Sequence, residues 1–311
     1  MNVDDLTPLD GASVLITGAR GMLGRAFAEM LSVHAPKARV LARSHQELDV
    51  TERSHVMAMS AERPDVILHC GGLADADRCQ REPELAHRSH VVGTDNVIEL
   101  AREVGAKLLY PQSVFIFDGT VLPVTERTTP APPFVYGAVK LEAERHLLAA
   151  LPSALSVRMA GFFGGDEVDK NFVGKFARIL RRMLAADTRG IAVGDRMWQP
   201  TYTNDHAYNC LVLLARDVAG IFHMGALGEA TFYEVAEACV YSLGLSSRIT
   251  VVAESSRRHD AAEPAPRPSR MVTANERLDA EGLNRQRPWR EALDEYLARP
   301  SFDDLRRGGA S

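Results

Sequence analysis

A short apolar run, Ser13-Val14-Leu15-Ile16-Thr17, stops at Gly18 and leads into Gly18-Ala19-Arg20-Gly21-Met22-Leu23-Gly24. The helix-forming Arg25-Ala26-Phe27-Ala28-Glu29-Met30-Leu31 follows. This β-branched, apolar run reads as a buried strand. Strand, glycine turn and helix in that order constrain the fold more than any other stretch, because the unit opens a parallel α/β sheet. It also receives a dinucleotide pyrophosphate at the helix N-terminus. The first glycine permits the turn, the second lets the anion approach the backbone, and the third lets helix and strand pack closely. The spacing is G-x-x-G-x-x-G and no Gly-Lys-Ser/Thr follows, which disfavours a nucleotide-hydrolysing P-loop. A β-turn-α junction without a ligand is the plainer alternative.

The alternation continues. A second strand, Ala38 to Ala42, ends in Arg43-Ser44. An acidic residue at this end would hold the ribose 2′-hydroxyl of NAD, whereas Arg43, with Arg20 from the turn, can pair with a 2′-phosphate. This favours NADPH, with NAD as the alternative. Leu48-Asp49-Val50-Thr51 opens a helix with Thr51 as its N-cap. Asp65 to His69 is a third strand, ending in Cys70-Gly71-Gly72, whose small size would let a cofactor lie flat over the strand end. Glu84 to Val104 reads as one long helix. A fourth strand starts at Lys107 and runs on toward Gly119, with Ser113 near its end; Ala154 to Arg158 is a fifth.

After this the rhythm degrades. Helices are expected over 171–186, 204–216, 232–243 and 289–297, strand-like runs at 220–223 and 248–252, and a proline-rich loop at 263–270. The expected fold is α/β, a Rossmann-type doubly wound parallel sheet with a smaller mixed α/β C-terminal substrate lobe. Residues 1–160 would form the NADP-binding domain, with 188–217 returning to it. Residues 161–187 and 218–311 would form the lobe.

Within Pro132-Pro133-Phe134-Val135-Tyr136-Gly137-Ala138-Val139-Lys140, Tyr136 and Lys140 lie one helical turn apart and share a face. A free phenol is a poor proton donor at neutral pH, and a neighbouring ammonium would favour its phenolate. Alone, Tyr-x-x-x-Lys is a common surface pattern.

Hydrophobic content of 46% and a net charge of −5 fit a globular chain and give no electrostatic case for nucleic acid or anionic membrane. No apolar run reaches membrane-spanning length, no signal peptide is visible, and the four scattered cysteines lack C-x-x-C spacing. A cytoplasmic setting is expected, with a small-molecule substrate, no resident metal, and a homodimer as the oligomer to consider. His87 and His90 read as surface residues, and the pairs Arg181-Arg182 and Arg257-Arg258 as solvated charges or a diphosphate clamp.

The chain resembles the extended short-chain dehydrogenase/reductase superfamily, within it the dTDP-4-dehydrorhamnose reductase-like branch. The resemblance rests on the glycine turn, Leu48-Asp49-Val50-Thr51, Pro83 to Ala86, Gly93 to Asn96, Phe117-Asp118-Gly119 and Val135 to Glu142. Asn171-Phe172-Val173, Gln199 to Thr203, Arg267-Pro268 and Trp289 to Leu293 complete it. It implies Tyr136 as catalytic acid, Lys140 as its tuner and ribose anchor, and Ser113 as the third member. It further implies Gly18, Gly21, Met22, Leu23 and Gly24 along the pyrophosphate and Asp49 and Val50 beside the adenine. Cys70, Gly71 and Gly72 would lie beneath the cofactor. Val114, Phe115, Gly161, Asn171, Phe172, Trp198, Gln199 and Arg267 would face the substrate, with Arg267 on a phosphate and Trp198 either stacked on a nucleobase or filling a core gap.

The branch usually carries Ser-Thr-Asp-Tyr-Val-Phe-Asp-Gly where this chain has Gln112 to Gly119, and a tryptophan where it has Gly161. Val114 and Phe115 thus replace a carboxylate and a hydroxyl, so the pocket implied is not one for the same sugar. The function implied is an NAD(P)H-dependent ketoreductase acting on a nucleotide-activated deoxysugar. The rivals are a sugar-nucleotide epimerase or dehydratase, and a non-catalytic subunit like the methionine adenosyltransferase β subunit.

Overall fold

The computed structural model describes residues 3–256 and 263–309. The first half supplies β1 (Ser13–Thr17), α1 (Met22–His34), β2 (Arg39–Arg43), α2 (Arg53–Met57), β3 (Val66–His69) and α3 (Ala76–Arg81). Then come α4 (Pro83–His87), α5 (Gly93–Val104), β4 (Lys107–Ser113), α6 (Val135–Ala150) and β5 (Leu155–Met159). The second half supplies β6 (Phe162–Phe163), α7 (Phe172–Ala185), β7 (Gly190–Gly194), β8 (Met197–Trp198) and β9 (Thr201–Tyr202). It continues with α8 (Thr203–Ala215), β10 (Gly220–Met224), β11 (Ala230–Thr231), α9 (Phe232–Ser242) and β12 (Thr250–Glu254), and ends in short helices at Glu276–Ala280, Trp289–Leu297 and Asp303–Gly309.

Six strands form one parallel sheet in the order β10-β5-β4-β3-β1-β2. Side chains alternate between its faces, and the alternation explains the helices on both sides. Val14, Ile16, Val66, Leu68 and Leu109 enter a core shared with α1 and α8. Leu15, Ile67, Leu108 and Tyr110 enter the opposite core, shared with α5 and α6. Chain order reverses between β1 and β3, so the crevice at their C-terminal ends is where such sheets receive ligands. A third core gathers α7, α9, the 289–297 helix, the parallel β7–β12 pair and Trp198. No helix among the described residues is long and apolar enough to cross a membrane.

Several expected details differ. The run at 220–223, assigned to the substrate lobe, is β10, the sixth strand of the main sheet; Phe222 and Met224 point into the α1–α8 core. Leu278 and Leu283 return to that core as well. A five-residue apolar strand carries no mark of which neighbour it pairs with, so its sequence could not place it. Thr51 caps no helix: its amide and hydroxyl both donate to Asp49 Oδ1, each at 2.9 Å, and α2 starts at Arg53. The helix expected over 84–104 contains a wide π turn at Arg88–Val92, and there His90 is buried, not exposed.

Helix α6 is pressed onto the single 3₁₀ turn Val114–Ile116 that ends β4. Gly137 makes this approach possible, since a Cβ on it would stand 2.1 Å from the Phe115 carbonyl oxygen. Backbone cannot swing aside as a side chain can. Gly137→Ala should therefore destabilise the protein by about 1–3 kcal/mol. Thermal unfolding should show a Tm lowered by a few degrees, and an unchanged Tm would mean that α6 sits further from the turn.

Candidate active site

At the C-terminal end of β1 the chain turns through Gly18, whose φ of 62° lies in the left-handed region. A Cβ there would meet the Cys70 carbonyl oxygen at 2.7 Å, so the β1 and β3 ends close on one another. Gly24 packs as tightly, its absent Cβ 2.6 Å from the Gly18 carbonyl oxygen. Helix α1 begins three residues earlier than its sequence suggests, at Met22. Gly21 precedes it in extended conformation, with no side chain capping the helix and no acidic residue in the first turn. Because the first intrahelical bond runs from the Arg25 amide to Gly21, the amides of Met22, Leu23 and Gly24 lack helical acceptors. This is a cradle suited to a diphosphate, built from backbone donors and missing side chains.

Arg20 is exposed and Arg43 half-buried, and both act electrostatically on Glu47. The Glu47 carboxylate accepts the Ser44 amide at 2.8 Å and the Ser44 hydroxyl at 2.6 Å, bonds that hold its pKa below the ordinary range. Two cations and a serine thus surround the end of β2. Sequence reasoning named the arginines and passed over Ser44 and Glu47, although Ser-x-x-Glu is a legible pairing pattern. Asp49 is engaged in its turn with Thr51, while Val50 is buried beneath Gly71 and Gly93. Gly71 N donates to Thr17 Oγ1 at 3.0 Å. Cys70 is half-buried, its thiol pushed up to about 12 by burial, and Gly72 lies against the His90 ring.

Ser113 is the last residue of β4, and its hydroxyl accepts the Phe115 amide at 3.1 Å. Tyr136 stands in the first turn of α6, with its ring edge-on to His90 at 5.4 Å. One turn on, the buried Lys140 donates from Nζ to the Pro111 carbonyl at 2.6 Å, 3.8 Å from the Tyr110 ring centre. The Gln112 amide donates to the Lys140 carbonyl at 2.8 Å and ties α6 to β4. Burial brings Lys140 down to about 7, with Glu144 and Cys70 acting in the opposite direction.

The expectation that Lys140 acidifies Tyr136 needs correcting for the protein without ligands. Burial raises the phenol above its ordinary value and Cys79 adds to this, while a hydrogen bond with Ser113 opposes it. The ammonium is engaged by Pro111 and Tyr110 instead. His90 donates from Nε2 to the Leu73 carbonyl at 2.9 Å, and burial lowers its pKa to about 3, so it is neutral at working pH.

The residues expected to face substrate divide into two groups. Phe115 packs edge-on to Phe134 at 5.5 Å, and both lie beside Tyr136 with Ala265 of the proline-rich loop. Trp198 lies over Gly161, where a Cβ would come within 2.7 Å of the indole, and Phe232 and Phe172 extend this aromatic wall. The remaining residues are occupied elsewhere. Val114 is buried with Ile116, Phe117 and Met271, turned into the core and not toward a sugar. Gln199 clamps Thr273, accepting its amide at 2.7 Å and donating to its carbonyl at 3.0 Å. The Asn171 amide donates to the Phe162 carbonyl at 2.7 Å. Arg267 pairs with Asp77 at 2.5 Å, so its guanidinium is not the open phosphate contact expected. Arg181 binds Asp304, and the expected pair Arg257-Arg258 lies outside the described residues.

Residues 12–301 match a family model described as the RmlD substrate binding domain. The chain is 33% identical over 291 residues to a dTDP-4-dehydrorhamnose reductase of Mycolicibacterium smegmatis, covering 92% of this chain and 85% of that protein. It is 30% identical over 314 residues to the methionine adenosyltransferase 2 subunit beta of Xenopus tropicalis, covering 94% and 89%. Among solved structures it is similar to the dTDP-4-dehydrorhamnose reductase of Bacillus anthracis in complex with NADP. The TM-score there is 0.83 with 25% identity, covering 92% of this chain and 98% of that one.

The depressed pKa of Lys140 has a thermodynamic consequence. Between about 7 and the ordinary lysine value the unfolded chain holds a proton that the folded one does not, so stability from this group rises with pH. Below about 7 its burial opposes folding fully. Lys140→Met should therefore raise the Tm of the ligand-free protein near pH 6.5, and the gain should shrink toward pH 10. A gain independent of pH would assign the effect to packing alone.

Proposed function

The chain belongs to the RmlD substrate binding domain family, and on that premise we propose that it is an NADPH-dependent ketoreductase acting on a nucleotide-activated keto-deoxysugar. The observation that supports this reading is that Ser113 at the end of β4 hydrogen-bonds the Tyr136 phenol, with Lys140 one turn further along the same helix. The cradle suits the cofactor, because Gly18 and Gly24 let β1, β3 and α1 close up behind it, and Gly21 leads into helical amides that carry no side-chain cap. The amides of Met22, Leu23 and Gly24 would hold the diphosphate, and Arg20, Arg43 and Ser44 the 2′-phosphate. Asp49 and Val50 would border the adenine. Two of the three Nζ donors of Lys140 remain beyond its Pro111 bond for ribose hydroxyls.

When bound, NADPH supplies a hydride to the carbonyl carbon. Tyr136 gives its phenolic proton to the carbonyl oxygen, so ketone, hydride and proton balance as an alcohol. Its raised pKa means that the proton is present at neutral pH. Ser113 hydrogen-bonds the same oxygen as charge develops there. The phenolate left behind is favoured by the ammonium form of Lys140 on the same helix face. Phe115 and Phe134 exclude water beside the phenol.

Similarity to a methionine adenosyltransferase β subunit favours a second reading, a non-catalytic NADP-binding subunit. Net oxidation of NADPH with a dTDP-4-keto-6-deoxysugar separates the readings. An epimerase would return its hydride, and a binding subunit would transfer none.

Tyr136→Phe should cut turnover by about 10²–10⁴-fold, the span of a lost general acid, while the thermal shift induced by NADPH stays intact. Unchanged turnover would remove Tyr136 from the chemistry. Arg43→Asp should move the NADPH/NADH preference toward NADH by roughly tenfold or more, because a cation opposite the 2′-phosphate becomes an anion. If the ratio of the two kcat/KM values does not move, Arg43 is a solvated surface charge.

A further inference from the structure

Helix α6 carries Tyr136, Lys140 and Glu144 at successive intervals of four, so all three share one face. Glu144 is 2% exposed, and its partner Arg158 on β5 is 3% exposed. Arg158 Nε donates to Glu144 Oε2 at 3.0 Å and its Nη2 to Oε1 at 2.5 Å, while the Ser156 hydroxyl donates to Oε2 at 2.8 Å. Beyond the pair, Arg158 Nη1 stands 3.5 Å from His223 Nε2, and His223 Nδ1 lies 2.6 Å from Thr273 Oγ1. Thr273 is held in turn by Gln199. A continuous polar chain thus links the helix of the reaction centre through β5 and β10 to the segment that carries the second lobe back to the sheet.

Such an arrangement is an unusual use of buried charge. Two ions removed from water gain little net stability over apolar residues of the same shape, while loss of either partner is severe. A role beyond stability therefore has to lie in what the pair fixes. The groups around Lys140 narrow this down. His69 and His90 are brought to about 3 by burial and are neutral; the Cys70 thiol is pushed up to about 12. Tyr110 and Tyr136 are raised and keep their protons. Of the groups acting on Lys140, Glu144 is the carboxylate, and it is ion-paired with Arg158.

We propose that Glu144 is a positioning residue for the reaction centre: clamped to β5 by Arg158 and Ser156, it fixes the height of α6 against the sheet and presents a carboxylate to Lys140. The proposal rests on the assignment of Lys140 above, and the first readout of its test follows Lys140 directly, without turnover. In protein labelled with ¹³C-lysine, the Lys140 resonance is identified by its loss in Lys140→Met. Its titration is then followed by NMR in the ligand-free wild type and in Glu144→Gln/Arg158→Met, which removes both buried charges together.

The midpoint should start near 7 and fall by about one unit or more in the double variant. The alkaline fall of kcat/KM should move by the same amount. Glu144→Asp, which keeps the charge and the ion pair but shortens the reach, should leave the midpoint in place and lower kcat severalfold. An unmoved midpoint in the folded double variant overturns the proposal. So does an unchanged kcat in Glu144→Asp, which serves as the test if the double variant does not fold. Undiminished turnover in Lys140→Met would instead overturn the assignment of Lys140, so the two failures are distinct.

Discussion

The docking of α6 against the end of β4 is the contact on which the rest of the site depends. Tyr136 and Lys140 project from that helix, and Ser113 ends that strand. Four interactions hold the helix against the sheet: the missing side chain of Gly137, the Lys140 Nζ–Pro111 bond, the Gln112–Lys140 bond and the Glu144–Arg158 pair, the last to β5. Three are directional and buried, where an unmade hydrogen bond is costly, so the helix has one position and not a range. Precision of this kind is what proton transfer requires of its participants.

The cofactor side obeys a different constraint, close approach of backbones. Gly18, Gly24 and Gly71 are each pressed against the main chain or a side chain of a neighbouring segment. The proposed anion site is made of peptide groups, so its charge preference would come from amides without helical acceptors and from Arg20 and Arg43 at the edge. The side proposed to take substrate is rich in aromatic rings. Phe115 packs with Phe134, and Trp198 with Phe232 and Phe172. Gly161 and Trp198 are complementary: the absence of one side chain makes room for the other.

Long side chains such as Gln199, Asn171 and Arg267 were candidates for ligand contact because of their chemistry. In the fold each is engaged by protein partners close at hand. Sequence identifies donors and acceptors; it does not say which are already satisfied. His90 shows the converse, since its helical spacing with His87 read as a surface pair and the π turn places it buried against Tyr136.

What the sequence determined by itself was local and periodic. The apolar run Val14-Leu15-Ile16, the glycines after Thr17 and the four-residue spacing of Tyr136 and Lys140 act over a few bonds, and they gave the strands, the turn and the shared helix face. Tertiary structure alone decided that β10 joins the main sheet, that Val114 turns into the core, and that Glu144 meets Arg158. It also decided that Lys140 bonds Pro111, with its proton held near neutral pH. These outcomes depend on burial and on partners distant in the chain, and burial changes the energy of a charge far more than any neighbour in sequence can.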